Sequence, residues 1–147
     1  MRTNTLHNQL LYDELLADAF GSDAVPTKEH VAVIGTGYVG VPMCLYAAAA
    51  EYNVIGYDID SRKVAALQRR VSPDINAAER RLLTTSTARF TDDTRYIEGA
   101  DIYLICVPTP VKDTMEPDLE PLRAAAKTVA SAMETGALVI CESTVNP

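Results

Sequence analysis

With 147 residues, 48% of them hydrophobic and 22% charged, the chain has the length and composition of one globular domain with a sizeable core. Its formal charge of −7 excludes nucleic acid and anionic membranes as electrostatic partners, since both require a basic surface. No apolar run reaches membrane-spanning length, the N-terminus lacks a signal-like apolar core, and Cys44, Cys106 and Cys141 match no zinc or disulfide framework, so a cytoplasmic, metal-free protein is expected.

Residues 1–20 carry an untidy helical pattern, with Leu6, Leu10 and Ala17 on one side and Leu11 and Leu15 nearly opposite. Gly21 to Lys28, containing Pro26, reads as a linker. The expected division is therefore an N-terminal extension and linker over residues 1–29 and a folded domain over 30–147.

The domain opens with an apolar run, Val31 to Ile34, that leads directly into Gly35-Thr36-Gly37-Tyr38-Val39-Gly40. This is the G-x-G-x-x-G spacing of a dinucleotide-binding strand–helix turn: a glycine for the turn, one for approach of a pyrophosphate, one for helix packing. The anion would meet unpaired N–H groups and the positive end of the helix. A tight turn with no ligand is the competing reading of the hexapeptide alone. A helix over Val39 to Tyr52 follows, with Pro42 near enough to its start to be tolerated.

A second strand, Asn53 to Tyr57, ends at Asp58, 18 residues after Gly40. A carboxylate at about this offset accepts hydrogen bonds from the adenosine ribose and repels a 2′-phosphate, which favours NAD over NADP. The alternative is that Asp58 or Asp60 caps the next helix, and the two roles are compatible if Asp60 is the cap. Val64, Leu67 and Val71 are expected to share that helix's apolar face, and Lys63 is close enough in sequence to approach the ribose.

A short helix near Ala77 to Leu83 and a short strand over Ala88 to Thr91 come next. Asp101 to Val107 is the most strand-like run, with no polar alternation, as in a parallel strand buried on both faces. It stops at Pro108-Thr109-Pro110, on the carboxyl side where open α/β sheets bind ligands. Residues 91–120 hold eight acids against Arg95 and Lys112, so an anionic ligand must rely on helix N-termini and a few local cations. Asp118 and Pro121 mark a further helix with Leu122, Ala126, Val129 and Met133 as its inner stripe, and Ala137 to Cys141 forms the last strand before Glu142-Ser143-Thr144-Val145-Asn146-Pro147. The alternation predicts an α/β fold: a doubly wound, mostly parallel sheet of about five strands in the order 3-2-1-4-5.

Taken together, VIGTGYVGVP from Val33, GYDID from Gly56, ICVPTPV from Ile105, PDLEPL from Pro117 and ESTV from Glu142 resemble the N-terminal NAD-binding domain of the UDP-glucose/GDP-mannose dehydrogenases, over about residues 30–147. The resemblance implies a Rossmann fold cut before its sixth strand and an enzyme that oxidises the C6 hydroxyl of a nucleotide-linked sugar to a carboxylate with two NAD. It places Gly35, Gly37 and Gly40, with Tyr38 and Val39, at the pyrophosphate, and Asp58 and Lys63 at the adenosine ribose. Val107, Pro108 and Thr109 would line the cofactor site, with Glu142 and Thr144 as catalytic residues near the nicotinamide. Thr144 would help position the water that hydrolyses a thioester intermediate; a hydroxyl bonded to its own turn is the competing reading.

Ser72 to Glu79 departs from the Glu-Pro-Gly-Leu motif of UDP-glucose enzymes and, with VPTPV and PDLEPL, resembles more closely the branch acting on UDP-N-acetylhexosamines. The family's catalytic Cys, Lys and Asn and its UDP-sugar domain do not occur in this sequence. The chain alone is therefore expected to be inactive, the whole enzyme to be a homodimer, and the outer edge of the fifth strand to be open to another chain. A stand-alone nucleotide-binding module is the alternative function; an S-adenosylmethionine methyltransferase fits the VPTPV and ESTV turns poorly.

Overall fold

The computed structural model describes residues 29–112 and 116–143; the helical pattern of residues 1–20 and Thr144 lie outside the described residues. Five strands form one parallel sheet: β1 (His30–Ile34), β2 (Asn53–Tyr57), β3 (Arg89–Thr91), β4 (Ile102–Ile105) and β5 (Leu138–Cys141). Their order is β3-β2-β1-β4-β5, as the alternation of elements predicts.

β1 is buried along its whole length because it has strands on both sides and helices over both faces. Its side chains divide between two cores. Val31 and Val33 pack with Val41, Cys44 and Leu45 of α1 (Gly40–Ala49), whereas Ala32 and Ile34 pack with Ala125 and Val129 of α4 (Glu120–Ala132). The strand keeps its two-residue alternation even though both sets are apolar.

The helices begin where local chemistry sets them. Asp60 caps α2 (Ser61–Gln68) by accepting the Arg62 N–H, which satisfies a first-turn donor. Asn76 and Glu79 form a capping box on α3 (Ala77–Thr85), so that helix starts where expected and runs two residues further. The ends depart more from expectation. α1 stops at Ala49 rather than Tyr52, and Glu51 turns the chain at φ +67°. α2 stops at Gln68, and Arg70 takes φ +61°, so Val71 leaves the apolar face and is 57% exposed.

A 3-10 turn over Thr94–Ile97, capped by Asp93, was not signalled by periodicity, and it seats Ile97 in the core beside Tyr103. The Tyr103 hydroxyl donates to the Ile97 carbonyl at 2.7 Å and accepts the Ala100 N–H at 3.2 Å. Burial raises the Tyr103 phenol to about 12, so it stays protonated as that donor. The inner face of α4 is Ala125, Val129 and Ala132; Ala126 and Met133, expected in the stripe, are exposed. β5 also differs from a doubly buried strand: Leu138 is 53% and Val139 41% exposed, and among the described residues its outer edge carries no further strand.

Candidate functional site

The chemistry gathers at the carboxyl ends of β1, β2, β4 and β5. Where β1 ends, Gly35 still donates its N–H to the Tyr57 carbonyl of β2 at 2.8 Å, and its φ of +92° then turns the chain out of the strand. A side chain there would press on Val107 and the Cys106 carbonyl at 3.0 to 3.1 Å. At Gly40 a β-carbon would overlap the Gly35 carbonyl oxygen, so the first turn of α1 packs on the strand exit only as glycine.

Gly37 is different. It has no left-handed φ, and a β-carbon on it would meet nothing within 4 Å. The polypeptide gives no steric reason for glycine there. The first backbone bond of α1 runs from the Val41 N–H to the Gly37 carbonyl at 3.0 Å, so the amides ahead of it lack intrahelical acceptors. Together they form a bare, donor-lined concavity at the positive end of a helix.

Asp58 follows β2 and is buried. Its Oδ2 accepts the Thr36 N–H at 2.8 Å, the Thr36 hydroxyl at 2.9 Å and the Lys63 ammonium at 3.2 Å; its Oδ1 accepts the Asp60 N–H at 3.0 Å. Burial pushes the carboxyl upward, but the Asp60 and Thr36 N–H groups, the Thr36 hydroxyl and the Lys63 charge outweigh it and hold Asp58 below the usual carboxylate range. The acid is thus a fixed anion, while Asp60 beside it is the helix cap.

Between these groups lies a cavity of about 490 Å³, within the size range of small-ligand sites. Gly35, Gly37, Tyr38 and Val39 line one end, and Asp58, Ile59 and Lys63 another. Val107, Pro108 and Thr109 contribute from beyond β4, and Glu142 and Ser143 from beyond β5. Every expected site residue except Gly40, which packs behind the turn, and Thr144, outside the described residues, therefore lines one space.

Cys106 also reaches the cavity. Burial, with Glu142 and Cys141 adding to it, pushes its thiol up to about 11, so it is no nucleophile near neutral pH. Among the described residues no group of three His, Cys, Asp or Glu side chains could hold a metal, and no helix is long and apolar enough to cross a membrane.

Sequence reasoning missed several participants. Thr36 and Ser143 act through hydrogen bonds to distant partners, at separations of 22 and 36 residues, which periodicity does not reveal. Pro121, Ala124 and Thr128 of α4 close the cavity's remaining wall. Their signal was the rule that sheet crevices are bounded by the helices following each strand.

The family model of the UDP-glucose/GDP-mannose dehydrogenase family, NAD binding domain, matches residues 29–147. The chain belongs to this family. NAD is accordingly the cofactor of the domain. The chain is similar to UDP-N-acetyl-D-mannosamine dehydrogenase of Pyrococcus horikoshii, 37% identical over 122 residues, which is 80% of this chain and 29% of that protein. It is similar also to UDP-N-acetyl-D-glucosamine 6-dehydrogenase of Salmonella typhi, 34% identical over 87% of this chain and 29% of that protein.

Among solved structures, that of the Pyrococcus horikoshii UDP-D-ManNAc dehydrogenase superposes with a TM-score of 0.71 at 37% identity, over 80% of this chain and 29% of the other. A ternary complex of GDP-mannose dehydrogenase from Pseudomonas aeruginosa gives 0.73 at 27% identity, over the same shares. The chain spans 29% of the length of these relatives.

Proposed function

We propose that this chain is the NAD-binding part of a UDP-sugar 6-dehydrogenase that oxidises the C6 hydroxyl of a UDP-N-acetylhexosamine to a carboxylate with two NAD. The sugar would be held by a further domain, in an enzyme that works as a homodimer. The observation that carries the cofactor reading is Gly37: with no backbone strain and open space where a side chain would project, its glycine serves a group outside the polypeptide. A pyrophosphate fits, because it needs close backbone approach, N–H donors and the positive helix end together.

In this reading Gly35, Gly37, Tyr38 and Val39 hold the pyrophosphate, with Gly40 fixing the turn behind them. Asp58 and Lys63 take the adenosine ribose, Val107, Pro108 and Thr109 line the dinucleotide, and Glu142 and Thr144 stand on the nicotinamide side. NAD, when bound, supplies a hydride acceptor. The protein's share of the work is to orient it, and to keep Asp58 ionised and Cys106 protonated beside it. The sugar branch is supported by the similarity to dehydrogenases of UDP-N-acetyl-D-mannosamine and UDP-N-acetyl-D-glucosamine.

Isothermal titration of wild type and Asp58→Ala with NAD and NADP tests the assignment. NAD is expected to bind wild type more tightly than NADP, and loss of the carboxylate to weaken NAD by about 1–3 kcal/mol. Equal affinity of wild type for the two cofactors would contradict the ribose role.

A further inference from the structure

Thr36 occupies the position between the first two glycines of the turn, yet it does not line the cavity. It is only 1% exposed, a polar side chain sunk behind the loop that carries it. Both of its donors converge on one atom: the N–H lies 2.8 Å and the hydroxyl 2.9 Å from Asp58 Oδ2, across 22 residues of sequence. Lys63 adds a third donor to that oxygen, whereas Oδ1 receives only the Asp60 N–H. A carboxylate offers about four acceptor sites shared between two oxygens. Oδ2 is therefore occupied from the protein side, and the remaining capacity lies on Oδ1.

We propose that Thr36 is a positioning residue for nucleotides with a free 2′,3′-diol: by tying Asp58 Oδ2 to the glycine turn, it reserves Oδ1 for the ribose and sets the distance between phosphate turn and ribose acid. The proposal rests on the reading of Asp58 as the ribose-binding carboxylate. Thr36 needs no contact with the nucleotide to act. A buried hydroxyl that donates to a charged acceptor is directional, so its removal leaves Oδ2 held by the Thr36 N–H and a partly exposed lysine and Oδ1 by the Asp60 N–H, and the carboxylate turns more freely.

The test crosses a protein change with a ligand change. The full chain, as wild type, Thr36→Val and Thr36→Ser, is titrated calorimetrically with ADP and with 2′,3′-dideoxy-ADP, after circular dichroism has established that each variant is folded. Thr36→Ala replaces Thr36→Val if valine prevents folding. Thr36→Val is expected to bind ADP about tenfold more weakly, the scale of one hydrogen bond to a charged group. Its affinity for dideoxy-ADP is expected to stay within about twofold of wild type, and Thr36→Ser to recover ADP affinity to the same margin. Equal weakening toward both ligands, or no weakening toward ADP, overturns the positioning role. Equal affinity of wild type for ADP and dideoxy-ADP is a different failure, since it removes the ribose reading of Asp58 on which the proposal stands.

Discussion

Ser143 Oγ lies 2.7 Å from the Val107 carbonyl oxygen and joins the exits of β4 and β5 beside the cavity. The Glu142 N–H makes a second tie, to the Ile105 carbonyl at 2.9 Å. β5 is an exposed edge strand among the described residues, so these two bonds carry much of the burden of holding Glu142 at the cavity wall. Ser143→Ala is expected to cost about 1 kcal/mol, lowering the melting temperature by about 3 °C and speeding amide exchange at Glu142. An unchanged melting temperature with unchanged exchange would show that the strand ends are held by other means.

Asp58 gives the site a pH signature. Its folded-state pKa lies below the ordinary 3.8, because the Asp60 and Thr36 donors and Lys63 overcome the effect of burial. A carboxylate depressed on folding contributes its stability fully above its unfolded pKa and loses it as pH falls through its folded pKa. Urea unfolding of wild type and Asp58→Asn should therefore differ by about 1–3 kcal/mol near pH 6, and the gap should close as pH drops below about 4. A difference that persists unchanged into acid would mean that the ionised form is not what the donors stabilise.

Gly40 separates packing from ligand binding at the other end of the turn. Alanine is a better helix former than glycine by about 1 kcal/mol, but here its methyl would overlap the Gly35 carbonyl oxygen, a backbone atom with no rotamer to give way. Gly40→Ala is expected to lose about 3 kcal/mol of stability by urea midpoint, with or without NAD. A stabilised variant would show that the turn is not closed on the strand as described.

Much of this arrangement was legible in the sequence because the signals are local. Val31 to Ile34 and the hexapeptide after it define β1 and the turn, and Asp58 follows from a fixed offset. Strand order followed from the handedness of crossovers.

What escaped depended on distant or conformational facts. The stripe expected for α4 is Leu122, Ala126, Val129 and Met133; Val129 is buried, but the helix's angle over the sheet turns Ala125 and Ala132 inward and leaves Ala126 and Met133 exposed. Val71 was lost from α2 because Arg70, a non-glycine residue, adopts a left-handed conformation. The apolar run of β5 gives its strand and its edge position but not the exposure of Leu138 and Val139, which depends on what covers its faces. Within the site, Thr36 was legible only as a spacer between glycines; its bonds to Asp58 exist because parallel β1 and β2 end side by side, with Ile34 opposite Tyr57.

In the proposed function Gly37 is glycine for a ligand and not for the fold, and one substitution measures this directly. Gly37→Ala is titrated with NAD by calorimetry, with its thermal stability recorded beside wild type. The open space and ordinary φ at this position predict unchanged stability or a gain of up to about 1 kcal/mol, since alanine restricts the unfolded chain. The same methyl, projecting where the pyrophosphate would approach, predicts that NAD affinity falls by at least about tenfold. A stable Gly37→Ala protein that binds NAD within about twofold of wild type would contradict a pyrophosphate-facing role for Gly37.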